Sequence, residues 1–370
     1  MKIIISGGGT GGHIYPAIAI ADALKKREPI IDILFVGAKG KMEMEKVPVA
    51  GYPIEGLWIS GLQRKLTLRN LAFPFKVIHS LARCRSIVRS FRPDVVVGVG
   101  GYASGPLVQV ASKMGIPAVI QEQNSYPGLT NKLLMKYADA ICVAYPGMEK
   151  FFPKEKITLT GNPMRSQLTQ PFTKAEAAAV FGLDPEKKTI FAVGGSLGAR
   201  TINETIKQAF DQISDRSDIQ VLWQIGKLYA TSYADTEVAK LDRVHPAIYI
   251  DRMDMAYAMA DVVIARAGAM TISELCLTGK AAVLIPSPYV AEDHQTHNAK
   301  TLQNLGAAVL VPDQEAPQVA FREALRLLDD ESSRSKLESA ISQLATPDAA
   351  DKVAQIILEL ADKKRKRWKT

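Results

Sequence analysis

The chain has 370 residues, 47% of them hydrophobic and 23% charged, with a formal net charge of +8. That length exceeds one ordinary core and suits two domains, and the composition is that of a globular protein. Cys84, Cys142 and Cys276 lie far apart with no Cys-x-x-Cys or Cys/His spacing, which excludes a disulfide framework and a structural zinc site.

The N-terminal segment KIIIS reads as a strand and residues 16–26 as a helix, with the loop GGGTGGH (residues 7–13) between them. Only three isoleucines precede the glycines, too few for the apolar core of a signal peptide. IDILFVG, DVVVGVG, IPAVIQE and AICVAYP continue the series as strands. Their unbroken apolar character fits parallel strands covered on both faces. The uncharged run 95–112 contains Gly, Ser, Gln and Pro106 and reads as strand and loop, not a membrane span. The pattern restarts at residues 187–210 with strand, GGSLGAR loop and helix, followed by VLWQIG, AIYIDRM, DVVIARAG and AAVLIPSP. Alternation of this kind predicts an α/β protein of two doubly wound parallel-sheet domains with a cleft between them. The Gly- and Pro-bearing stretch 161–173 marks the joint. The expected boundaries are 1–164, 165–346 and 347–370, the last being a helix (about 347–362) returning to the first domain plus the basic tail KKRKRWKT.

Ligands of open parallel sheets sit beyond the carboxyl ends of strands. GGGTGGH lies at such a place, where glycines admit a ligand to the backbone and the next helix aims N–H groups at an anion. His13 closes that loop, where the helix dipole favours a neutral imidazole able to accept a proton. The alternative is a histidine that only caps the loop. In GVGGYASGP (residues 98–106), Tyr102 and Ser104 can meet a phosphate or a sugar. In QEQNSYPGLTNK, the residues Glu122, Gln123, Asn124 and Asn131 form a dense polar set after a buried strand; turn chemistry is the competing account. In the second half, Ser196 of GGSLGAR and Arg165 of GNPMR offer a hydroxyl and a charge to a phosphate. RAGAMTISE places Ala269, Met270 and Thr271 at a helix mouth. Glu274 lies one turn inside, where a carboxylate can take both ribose hydroxyls. The competing account is a capping box with Thr271 as cap and Glu274 three residues on. Asp293, His294, Gln295 and Asn298 follow the next strand. The His294/His297 pair has no matching distant ligand set, so no metal is expected. No Asp-x-Asp pair occurs in the chain, so helix N-termini and arginine are the expected counter-charge.

Taken together, GGGTGGH, GVGGYASGP, EQNSYPGLTNK, GNPMR, GGSLGAR, RAGAMTISE and DHQTHNA resemble, in order, the motifs of the bacterial MurG family, a branch of glycosyltransferase family 28. The resemblance implies a GT-B fold, two Rossmann-like domains facing a cleft. It implies an inverting hexosyltransferase without a cofactor, moving N-acetylglucosamine from UDP-GlcNAc to lipid I in peptidoglycan synthesis. The implied donor contacts are Thr10, Gly11 and Gly12 at the sugar and phosphates, Asn124 near the sugar, and Arg165 and Ser196 near the diphosphate. Ile250 reads uracil by its backbone. The run Ala269, Met270, Thr271, Ile272, Ser273 and Glu274 holds phosphate and ribose, and Gln295 holds the sugar. His13 is the implied base with Glu122 in reserve, and Tyr102, Ser104 and Asn131 line the acceptor side. Met270 stands where members more often have Leu, and His294 where some have Gln. The implied place is the cytoplasmic face of the inner membrane, held peripherally, with other cell-wall synthesis proteins as candidate partners. The basic, apolar segment 64–91 suits an anionic lipid surface, or else an ordinary surface helix. No nucleic-acid partner is expected, since no recognised binding module is present and the basic tail is short. The competing enzyme is a UDP-GlcNAc 2-epimerase-like protein of the same fold, and the competing non-enzyme is a sensor of UDP-sugar.

Overall fold

The computed structural model describes residues 1–61, 73–164, 168, 170, 172–290 and 293–367. The chain divides into two compact units, one of Met1–Arg165 with Pro347–Thr370 and one of Ser166–Thr346.

In the first unit, the described strands β1 (Lys2–Ser6), β2 (Asp32–Ala38), β3 (Ile54–Leu57), β4 (Val95–Gly98), β5 (Ala118–Glu122), β6 (Ala140–Val143) and β7 (Ile157–Leu159) form one parallel sheet in the order β3-β2-β1-β4-β5-β6-β7. Ile3, Ile4, Ile5, Val95, Val96 and Val97 are all fully buried, so both sheet faces are covered. The chain winds outward from β1 through β2 and β3, then returns to place β4 on the other side of β1. The order therefore reverses between β1 and β4, where an open α/β sheet leaves a crevice for a ligand. GGGTGGH follows β1, and VGGYAS follows β4.

The second unit repeats the plan with β8 (Lys188–Val193), β9 (Ile219–Gln224), β10 (Val244–Ala247), β11 (Val262–Ala265), β12 (Ala281–Leu284) and β13 (Val309–Leu310), in the order β10-β9-β8-β11-β12-β13. Its reversal lies between β8 and β11. The loops there are GGSLGA and RAG. The expected α/β class with two doubly wound parallel sheets of GT-B type is thus what the chain forms.

Three elements differ from expectation. The first helix spans Gly11–Arg27, so it begins at the glycines and carries His13 in its first turn. Pro16 is tolerated because it lies near the helix start, where a missing N–H costs one early bond. The stretch YIDRM lies beyond β10, not in it. Among the described residues β10 pairs only with β9, and an edge strand accepts Pro246. The last helix, Ala349–Arg367, runs beyond residue 362 through most of the basic tail. It packs Val353, Ala354, Ile357 and Ala361 into the first unit's core beside Ile3, Ala17, Ala21 and Leu24. Arg27 Nε to Asp351 Oδ1 (3.2 Å) and Lys364 Nζ to the Pro93 carbonyl (2.8 Å) fasten its two ends.

Cys84, Cys142 and Cys276 are free and buried, and burial pushes each thiol up to about 12. Of segment 64–91, residues 64–72 lie outside the described residues. Phe73–Phe91 is a helix that buries Ser80, Cys84, Ile87 and Val88 and leaves Phe75 and Ile78 more than 60% exposed. Among the described residues, no helix is long and apolar enough to cross a membrane.

Candidate active site

The two glycine loops of the first unit press backbone on backbone. Gly101 has φ +85°, and a Cβ there would lie 2.3 Å from the Gly8 carbonyl oxygen. His13 sits in the resulting notch. Its Nδ1 is 3.4 Å from Thr10 Oγ1, and a Cβ on Gly100 would fall 2.8 Å from its Nε2. The imidazole is thus held edge-on by a position that tolerates no side chain. Beneath the loop lies Glu43, fully buried at the start of the helix Glu43–Val49. Its Oε2 accepts Gly9 N–H at 2.9 Å and its Oε1 accepts Ala38 N–H at 2.9 Å. Its carboxylate fills the space a Cβ on Gly8 would need.

The polar set after β5 is largely internal. Glu122 is 1% exposed and accepts four donors: Asn124 N–H (3.0 Å), Asn124 Nδ2 (3.1 Å), Gly128 N–H (3.1 Å) and Asn131 Nδ2 (2.8 Å). Burial pushes its carboxyl above the ordinary 4.5, against the pull of those four donors. With both oxygens engaged, Glu122 shapes the loop 123–128 and is poorly placed to take a proton from a substrate. Asn131 is also buried. Its Nδ2 reaches the Gln121 carbonyl at 3.1 Å as well, and its Oδ1 is a buried acceptor with no partner among the described residues. Ser104 is fully buried and its hydroxyl points to the carbonyls of Ser6 and Gly100, both at 2.8 Å. These two side chains support the loops from below, and direct contact with an acceptor does not fit their burial. Tyr102 is 48% exposed, its ring over Gly61, and can meet a ligand. An amide chain links the same loops: Gln123 Nε2 donates to the Val99 carbonyl (2.8 Å), Asn162 Nδ2 to the Gln123 carbonyl (3.0 Å) and Gln121 Nε2 to Asn162 Oδ1 (3.1 Å).

In the second unit, Gly198 and Gly226 meet as closely as Gly8 and Gly101, and Gly226 has φ +88°. Gln224, 2% exposed at the end of β9, spans two loops: its Nε2 donates to the Gly195 carbonyl at 2.9 Å and its Oε1 accepts Ile250 N–H at 2.8 Å. The Ile250 N–H is therefore already satisfied. Ser196 stands half-exposed on the glycine loop. The helix behind it, Arg200–Gln208, has no side-chain cap.

The helix Ala269–Thr278 begins after Gly268 in an extended conformation, again with no side-chain cap. Thr271 lies inside the first turn, so the capping-box alternative is not formed. The N–H groups of Ala269, Met270 and Thr271 are first-turn donors that no side chain caps, a ready anion site. The next two residues differ. Ile272 is buried with its N–H on the Gly268 carbonyl (3.0 Å), and the Ser273 hydroxyl donates to the Ala269 carbonyl (3.0 Å). Their expected donor contacts do not fit that placement. Glu274 accepts Tyr257 Oη–H on Oε2 at 2.8 Å. Gln295 takes Ser287 N–H on Oε1 (2.9 Å) and brings its Nε2 to Gly268, 4.0 Å from where a Cβ there would be. Asp293 stands before the helix His294–Asn304 in a left-handed conformation (φ 50°), with no side-chain bond that caps it. Arg165 lies outside the described residues. Among the described residues, no group of His, Cys, Asp and Glu could hold a metal ion.

Sequence reasoning missed Glu43, Gln224 and Tyr257. A visible signal existed for Gln224 alone, a polar residue ending the apolar strand VLWQ.

Residues 3–143 match the glycosyltransferase family 28 N-terminal domain and residues 189–355 its C-terminal domain. A Cytophaga hutchinsonii protein named UDP-N-acetylglucosamine–N-acetylmuramyl-(pentapeptide) pyrophosphoryl-undecaprenol N-acetylglucosamine transferase is 51% identical, over 99% of this chain and 98% of its own. The transferase of the same name from Parabacteroides distasonis is 52% identical over 98% and 99%. Among solved structures, Acinetobacter baumannii MurG superposes with a TM-score of 0.75 at 29% identity, over 97% of this chain and 99% of that one. A UDP-GlcNAc 2-epimerase from Neisseria meningitidis shares the fold alone, with a TM-score of 0.69 at 13% identity over 97% and 100%. The chain belongs to glycosyltransferase family 28.

Proposed function

We propose that the chain transfers N-acetylglucosamine from UDP-GlcNAc to the C4 hydroxyl of the muramoyl sugar of lipid I, with inversion, yielding lipid II and UDP. The observation that carries this reading is half-identity, over nearly the whole chain, to transferases named for that donor and acceptor. The 2-epimerase alternative has only the shared fold in its favour.

In this reading the second unit takes the donor. The first-turn N–H groups of Ala269, Met270 and Thr271, the Ser196 loop and Arg165 neutralise the diphosphate as it leaves. Glu274 takes the ribose hydroxyls. The Ile250 carbonyl meets the uracil imide N–H, since its own N–H belongs to Gln224. Gln295 and Asn124 hold the sugar, with Thr10, Gly11 and Gly12 near it. The first unit takes the acceptor, with Tyr102 in contact and Ser104, Asn131 and Glu122 holding the loops. His13 accepts the hydroxyl proton as oxygen bonds to C1, and the C1–O electron pair departs with UDP. The lipid acceptor puts the protein at an anionic membrane surface, peripherally at its cytoplasmic face, with Phe75 and Ile78 as the apolar contact and Arg85 and Arg89 on the same helix as the basic one.

Transfer is tested with radiolabelled UDP-GlcNAc and a short-chain lipid I analogue, with and without EDTA. The expected result is acceptor-dependent labelled disaccharide lipid, equal in both arms. UDP-GlcNAc converted without acceptor, to its C2 epimer, would overturn the reading. The membrane part is tested by liposome co-sedimentation of a Phe73→Ser, Phe75→Ser variant, where unchanged binding removes this helix from the account.

A further inference from the structure

The ring of Tyr257 is wholly buried on the helix Met253–Met259, held edge-to-face by Phe191 of β8 at 5.7 Å between centroids and 82°. Its hydroxyl donates to Glu274 Oε2 at 2.8 Å. Glu274 is half-buried in the second turn of the helix Ala269–Thr278. A phenol and a carboxylate at this distance form a charge-assisted bond, and the phenol cannot swing away because Phe191 and the core fix its ring. The helix carrying Tyr257 also begins directly after the loop of Ile250. Tyr257 therefore ties the loop assigned to the base to the helix assigned to the ribose.

We infer that Tyr257 is a positioning residue for nucleotide selection: it holds the Glu274 carboxylate in the one orientation that accepts both hydroxyls of a ribose, and so makes the donor site discriminate against nucleotides lacking them. The inference rests on the proposed role of Glu274. Burial and the neighbouring carboxylate keep the phenol protonated far above its ordinary 10, so the bond is donated at every working pH. A site built around hydroxyl partners rejects analogues lacking them strongly, because its polar groups are then left unpaired.

The test compares UDP with 2′,3′-dideoxy-UDP as ligands of the full chain, and follows transfer kinetics beside them. Tyr257→Phe keeps the ring and removes only the hydroxyl. The expected result is a KM for UDP-GlcNAc raised about tenfold with kcat within about twofold, and a UDP-over-dideoxy preference reduced by about the same factor. Glu274→Ala abolishes the preference, and adding Tyr257→Phe to it changes nothing more. If Glu274→Ala loses the preference while Tyr257→Phe keeps it in full, Tyr257 plays no such part. If Glu274→Ala keeps the preference, the ribose assignment itself fails and this inference with it. A melting temperature for each variant separates misfolding from lost selection, and Tyr257→Phe is expected to melt within a few degrees of the parent.

Discussion

The glycine loops of the two units occupy equivalent places in their sheets, yet their amide groups face different partners. In the first unit, Glu43 lies where an anion would sit beneath a glycine loop and takes the Gly9 N–H for itself. A buried carboxylate there also opposes a diphosphate by like charge. In the second unit, the polar residue beneath the glycine loop is Gln224, an amide without charge: it donates to the Gly195 carbonyl of that loop and accepts the N–H of Ile250 from another. The loop's Gly198 N–H turns inward to the Gly195 carbonyl (3.0 Å), while the start of the helix Ala269–Thr278 has no side-chain cap. One architecture thus gives a loop that carries its own anion and holds a histidine, and a loop that awaits an anion from outside. A glycine-rich turn after a strand does not by itself mark a phosphate site. What lies under it decides.

If that division holds, variants of each unit damage different steps. The largest expected effect is at His13. His13→Ala lowers kcat by about 10²–10⁴-fold, the usual worth of a general base, and leaves UDP affinity within about twofold. Equal losses in turnover and in UDP binding would break the division, giving His13 a donor-holding task. Glu43→Gln comes next. The amide can accept one of the two N–H bonds but presents its own N–H₂ to the other, leaving a buried donor unsatisfied at about 1–3 kcal/mol. The expected outcome is a lower denaturation midpoint, turnover reduced by about tenfold or more and UDP affinity unchanged. Unchanged turnover at reduced stability would make Glu43 a core carboxylate with no hold on His13. Gln224→Leu is the mirror experiment in the second unit. It removes the acceptor of Ile250 N–H and the donor to Gly195, so UDP affinity falls about tenfold by calorimetry. Its kcat at saturating donor stays close to that of the parent.

The sequence told unevenly of these two regions. Strands read clearly because a parallel strand buried on both faces is a continuous apolar run, as in Val95–Gly98, with glycine after it where the backbone must turn. The GGGTGGH and GGSLGAR loops could be placed at strand tips for that reason. What lay beneath them could not be read. Glu43 meets Gly9 across 34 residues of chain, and nothing in KMEMEKVPV separates it from Glu45. The spacing of Thr271 and Glu274 fits a capping box, but the N-cap is the extended Gly268, three residues earlier, and the carboxylate turns to Tyr257 instead. In the sequence, polar residues near a site read as ligand contacts. In Ser104, Asn131 and Glu122 the hydrogen bonds run inward, since buried polar groups must find partners and these are the partners the loops supply.

The smallest expected effect separates the units by pH. In the second unit, His245 on the edge strand β10 has its imidazole pushed below the ordinary 6.5, first by burial and then by Lys187. The folded form therefore binds this proton less readily than the unfolded form. The stabilising share of His245 is complete above 6.5 and is lost as pH falls through its lowered value. Glu122 in the first unit shifts the other way, its carboxyl raised above 4.5 by burial. The folded form binds that proton more readily, so its share grows as pH falls through the raised value toward 4.5 and is lost as pH rises again. Acidification from neutrality thus takes support from the second unit while adding it to the first. Hydrogen exchange, corrected for the intrinsic pH dependence of amide rates, is expected to show protection falling around β10 and its neighbour β9 at acid pH, with β5 and the loop after it holding or gaining. His245→Gln is expected to flatten the first trend alone. Parallel loss in both units, untouched by that substitution, would mean that other groups govern the acid response and that the contrast between the two units stops at their glycine loops.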